Sequence, residues 1–185
     1  MRILSRIRRR HYAAAILASI AIMTPAAALA APAVAAAPAI AGHPRTAAPF
    51  CETPGLVEWI DTNGSGAAGS VYYHLRFTNL SGHRCTLNGF PFVVAVSLRG
   101  RQLGSRAAFN GGSPHVVQVR PGQTATALLR IVMAGNFPRS ACRPVTAAGL
   151  RVYPPNQTRS KTIPFPFEAC SRRGPVYLTV RPVRG

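Results

Sequence analysis

An all-β fold, an immunoglobulin-like antiparallel β-sandwich of about 7–9 strands with two disulfides, is what this sequence predicts, and three features predict it. Two segments alternate between one apolar face and a more polar one. Several shorter apolar runs follow at close spacing, separated by Gly, Pro and Asn, with no amphipathic stretch long enough for a substantial helix. Four cysteines all lie beyond a low-complexity N-terminal region.

In chain order, residues 1–30 read as a signal peptide. Arg2, Arg6, Arg8, Arg9 and Arg10 form a positive start, Ala13 to Met23 an apolar centre, and Ala28-Leu29-Ala30 supplies the small residues a signal peptidase reads. Arg9-Arg10 lacks the flanking residues a twin-arginine signal usually carries. An uncleaved anchor is the alternative, because no charge stands between His11 and His43. Against it, Pro25, Pro32 and Pro38 interrupt the stretch, and each proline inside a helix costs about 3 kcal/mol. Residues 31–49, almost entirely Ala and Pro, read as an extended linker with too little large apolar surface to collapse. The folded domain is expected over residues 50–185.

Within it, Val71 to Thr78 places Val71, Tyr73, Leu75 and Phe77 on one face and Tyr72, His74, Arg76 and Thr78 on the other. Thr124 to Met133 repeats the pattern, with Ala125, Ala127, Leu129, Ile131 and Met133 inward. Phe90 to Leu98 is a run rich in β-branched and aromatic residues with Pro91 near its start, as suits a central strand packed on both sides. Shorter strands are expected at Leu56 to Ile60, His115 to Val119, Leu150 to Tyr153, Thr162 to Phe165 and Val176 to Val180. Arg99-Gly100-Arg101 and Arg120-Pro121-Gly122-Gln123 read as tight connections between antiparallel neighbours.

Even numbers of cysteines in an exported domain argue for disulfides, and the spacings of Cys51, Cys85, Cys142 and Cys170 lack the close pairs of a zinc site. Contact locality selects Cys51 with Cys85 and Cys142 with Cys170, since a hairpin or short meander could bring each pair together. Entropy alone would favour the longer, crossed loops.

The spaced cysteines, Phe77-Thr78-Asn79, Cys85-Thr86-Leu87-Asn88-Gly89-Phe90-Pro91, Gly100, Val119-Arg120-Pro121-Gly122 and Leu150-Arg151-Val152-Tyr153-Pro154-Pro155 together resemble the actinobacterial domain of unknown function 4232 family. The likeness covers essentially the whole folded part. It implies a secreted or surface-exposed immunoglobulin-like sandwich behind a spacer. The family has no assigned activity, so no functional residues carry over.

Candidate chemistry is sparse. Gly64-Ser65-Gly66 lacks the strand-turn-helix setting of a nucleophile elbow and reads as a flexible turn. Only Glu52, Glu58, Asp61 and Glu168 are acidic, and nothing pairs them. His43, His74, His83 and His115 show no close ligand spacing, so no metal and no cofactor are expected. Trp59, the single tryptophan, reads as a core aromatic, with a carbohydrate-stacking platform as the alternative; Tyr72 and Tyr177, at outward positions, could assist it.

Charge is the most unusual property. The formal +18 falls by five to +13 if the signal leaves, and Lys161 is the sole lysine. Arg76, Arg130, Arg151 and Arg181 fall on polar strand faces and would form an anion-binding face if their strands share a sheet. A dispersed, solvated surface is the alternative. The expectation is a non-enzymatic secreted or cell-surface module, with an anionic envelope polymer or another surface protein as partner. No specific nucleic acid is expected, nor any membrane contact except through an uncleaved signal segment.

Overall fold

A computed structural model of the protein describes residues 47–185. The expected signal peptide and most of the linker lie outside the described residues. The domain is built from eleven strands: β1 (Leu56–Ala67), β2 (Ser70–Asn79), β3 (Cys85–Asn88), β4 (Phe92–Val96), β5 (Gln102–Leu103), β6 (Ala108–Phe109), β7 (Val116–Val119), β8 (Thr124–Val132), β9 (Pro144–Tyr153), β10 (Lys161–Cys170) and β11 (Leu178–Val180). One short helix, α1 (Arg139–Cys142), precedes β9. Two of these strands, β5 and β6, are only two residues long, which is why sequence patterning does not find them.

Two sheets form the sandwich. The first runs β1-β2-β8-β11-β6 and the second β10-β9-β4-β5, while β3 and β7 pair separately. All these pairs are antiparallel except β11 with β6. Alternation produces the core directly, because every second residue of β2 and β8 points at the facing sheet. Leu75, Phe77, Ala125, Ala127 and Leu129 from the first sheet meet Val93, Ala95, Leu150 and Val152 from the second, all essentially inaccessible to water. As expected, β4 is buried on both faces from Val93 to Val96. Phase fails at one end of β8, where Met133 lies beyond the strand and is half exposed rather than inward.

Both predicted disulfides are present, Cys51–Cys85 and Cys142–Cys170. The first pins the chain where it enters the domain. Around it, Thr86 N–H donates to Pro49 O (2.8 Å) and Cys51 N–H to Thr86 O (2.9 Å), so the last residues of the expected linker are already held by β3. The second closes the open end of the β9–β10 hairpin, where Cys170 lies opposite Pro144.

Three local expectations are corrected. Gly64-Ser65-Gly66 is not a flexible turn: it lies within β1, past an irregularity in register between Asp61 and Ser65. A Cβ on Gly64 would stand 2.5 Å from Tyr73 and 2.7 Å from Val71, so glycine is required there by close approach to β2. Arg120-Pro121-Gly122-Gln123 does not join hydrogen-bonded neighbours, since β7 pairs with β3 whereas β8 pairs with β2 and β11. The turn carries the chain from one sheet to another. The third correction concerns the aromatic residues. Tyr177, expected outside, is the largest fully buried side chain, and Trp59, expected inside, is 40% exposed.

Tyr177 is held by its hydroxyl, which donates to Leu103 O at 2.9 Å, and burial pushes its ionisation well above the usual tyrosine range. Tyr177→Phe would leave the Leu103 carbonyl without this donor in the interior. The expected cost is about 1–2 kcal/mol, read as a lower urea midpoint at unchanged slope. Unchanged stability would mean that water reaches that carbonyl.

Candidate functional site

Strand register assembles the outer face of the five-stranded sheet row by row. With Leu56, Ile60, Leu75, Phe77, Ala125 and Leu129 turned inward, the intervening residues face outward. The first row is Val57, Thr78 and Thr124; the next is Trp59, Arg76 and Thr126. Asp61, His74 and Leu128 follow, and Arg181 joins them through its N–H to Leu128 O (2.9 Å). The last row is Ser65, Tyr72, Arg130 and Thr179. The C-terminal segment adds Arg184, which exchanges backbone hydrogen bonds with Thr126 (both 2.8 Å).

Three of the four expected arginines, Arg76, Arg130 and Arg181, therefore share one face. Arg151 does not. It lies on β9 in the other sheet, where its guanidinium donates to Gly100 O (2.7 Å) in the β4–β5 turn. Alternation assigned its phase correctly, but phase says nothing about which sheet a strand joins. Arg184 was missed because buried Pro182 and Val183 break the alternation just before it.

The arginines differ in how much charge they offer. Arg76 bridges Asp61 at 3.0 Å and lies 5.2 Å from the Trp59 ring centre. The Asp61 carboxyl is held below the usual carboxylate range, first by the Asn63 N–H and then by Arg76. That pair is close to neutral. Arg130 is steered by Nε donating to Ser70 Oγ (2.9 Å) and by the Tyr72 ring at 5.9 Å. Its outer nitrogens have no protein acceptor among the described residues, and neither does the Arg181 guanidinium. Arg184 contacts the His115 ring.

A recess of ≈ 280 Å³ opens on this face, lined by His74, Gly112, Thr126, Leu128, Arg181, Pro182 and Arg184. No acid lines it, and two guanidinium groups and an imidazole border it. Such a concavity concentrates positive potential and suits a phosphate or carboxylate. Glu58 cannot offset it, since that carboxyl points to the opposite side of β1, into the interior.

A family model described as a domain of unknown function, DUF4232, matches residues 51–184, from the first cysteine to the last arginine. The chain belongs to the DUF4232 family. No curated protein matches it. In this DUF4232 domain both disulfides join an all-β framework, and no helix among the described residues is long and apolar enough to cross a membrane. The disulfides are consistent with an extracellular location.

Proposed function

We propose that this DUF4232 protein is an exported, non-enzymatic binding module, secreted or held at the cell surface, that associates with anionic envelope polymers or lipid head groups. The observation that carries this reading is a recess without a lining acid, bordered by Arg181, Arg184 and His74, with Arg130 on the same sheet face. Arginine supports it further, because its planar fork holds phosphate or carboxylate through two hydrogen bonds where lysine would offer a point charge. The signal-like N-terminus and the disulfides agree with export.

The test compares two double variants that lose equal charge. Arg130→Ala with Arg181→Ala removes two arginines of the face, whereas Arg99→Ala with Arg101→Ala removes two exposed charges near the β4–β5 turn. Arg172 is unsuitable as a control because it donates to Ser140 O. Binding to long-chain polyphosphate, polygalacturonate and anionic phospholipid vesicles is measured at low and high salt. The face variant is expected to lose about tenfold or more and the control far less, with wild-type affinity falling steeply as salt rises. Equal losses would reduce the attraction to the diffuse field of a highly basic protein. Affinity for another surface protein that ignores salt would favour a protein-interaction module.

A further inference from the structure

Trp59 is exposed, and it is also fixed. Its Nε1–H donates to Thr78 Oγ1 at 3.1 Å, and that hydroxyl is bonded to Thr124 Oγ1 at 2.8 Å. On the β2 side the Arg76 guanidinium lies 5.2 Å from the ring centre and is itself anchored by Asp61. Because β1 is the edge strand of its sheet, no strand of that sheet lies on the other side. The result is an immobilised aromatic surface, with half-exposed Val57 two residues away on the same face.

A large aromatic ring held on a polar, hydroxyl-bearing face presents apolar surface that a ligand can cover. Rigidity has a second consequence: a ligand that stacks here does not have to immobilise the side chain. The stacked guanidinium and the aspartate cancel each other, so Trp59 offers surface rather than charge. Charge comes from Arg130, Arg181 and Arg184 across the same face. Together they ask for a ligand with two properties: negative groups, and a ring whose C–H edges can pack on the negative face of an indole. A sugar ring bearing carboxylate or phosphate meets both; a polyphosphate chain meets only the first.

We infer that the ligand of this face is an anionic glycan whose sugar ring stacks on Trp59 while its acidic groups reach the arginines. This rests on the anion-binding reading above and narrows it. Trp59 is the protein's single tryptophan, so its fluorescence reports the contact without labelling.

The experiment titrates the full chain with polygalacturonate and with long-chain polyphosphate at one low salt concentration. Fluorescence and an independent binding signal are recorded for wild type and for Trp59→Ala. Polygalacturonate is expected to change the wild-type emission, and Trp59→Ala to weaken its binding about tenfold while leaving polyphosphate affinity unchanged. Urea unfolding of the variant checks that the fold persists, as the exposure of Trp59 leads one to expect. Unchanged emission together with unchanged polygalacturonate affinity in Trp59→Ala would overturn the stacking role and leave the anion-binding reading standing. Equal losses for both polymers would also overturn it, showing that Trp59 merely supports Arg76. If wild type binds neither polymer, the anion-binding reading fails and the glycan inference with it.

Discussion

Replacing Cys142 and Cys170 together by alanine is expected to destabilise the domain by about 3.6 kcal/mol through the entropy of a loop of 28 residues, with a further increment for lost packing. Both cysteines are fully buried at the open end of the β9–β10 hairpin. Around them, Ser171 N–H donates to Arg143 O and Arg172 N–H to Cys142 O (both 3.1 Å), so losing the link also loosens the connection toward β11. Alanine is the better substitute, since serine would place two hydroxyls in the interior. The Cys51–Cys85 link closes a loop of 34 residues and carries about 3.8 kcal/mol on the same reasoning. With about 5–15 kcal/mol typical of whole domains, either deletion leaves a marginal fold and both together abolish it. Urea denaturation of each paired variant reads the effect. An unchanged midpoint for the Cys142/Cys170 variant would mean that hairpin pairing alone constrains the unfolded chain as much as the covalent link does.

The cysteine pairing was legible because locality and covalent reach agree: each pair closes a segment that a short meander can fold back. The alternating strands were legible for a related reason. Along β8, and along β2 from His74 to Asn79, buried residues alternate with more exposed ones, so period two shows through. Where a strand departs from that condition, the signal weakens. The outer half of β1, rich in Gly, Ser and Asn, is a strand only because β2 continues beside it, and intrinsic propensity points the other way. β10 carries Pro164 and Pro166, which its edge position tolerates.

The exchange of roles between Trp59 and Tyr177 has a specific origin. In β1 the inward phase is Leu56, Glu58 and Ile60, so an acid occupies a core position and the tryptophan falls outward. A reading that ranks residues by hydrophobicity assigns Trp59 to the core; a reading that follows phase strictly does not. Tyr177 precedes β11 and is buried consecutively with Leu178, a pattern that alternation cannot produce. The grouping of the arginines was half legible. Outward phase located Arg76, Arg130 and Arg181, but the grouping depends on β2, β8 and β11 being neighbours, which is long-range information. The same ignorance let Arg151 be counted with them.

The inward acid of β1 gives the other large expected effect, and it is a dependence on pH. Glu58 is 8% exposed, and neither carboxylate oxygen has a hydrogen-bond partner among the described residues. Burial pushes its pKa up from 4.5 to about 7, against a smaller opposing pull from Lys161, whose ammonium donates to Leu56 O instead of pairing with the carboxyl. Folding therefore favours the protonated acid. Below pH 4.5 both folded and unfolded chains hold the proton and Glu58 costs nothing in charge; as pH rises from 4.5 to about 7, the unfolded chain releases it first and stability is lost. Allowing for water that still reaches this edge of the sandwich, the loss is about 2 kcal/mol. Glu58→Gln keeps the shape and removes the titration. It is expected to match wild type below pH 4.5 and to exceed it by about 2 kcal/mol at pH 8, measured by urea unfolding across that range. The difference between the two proteins isolates Glu58 from the histidines and the other carboxylates, whose titration is common to both. A glutamine variant less stable than wild type at pH 8 would show that the ionised carboxylate is paired after all, with Lys161 the residue to carry that pair.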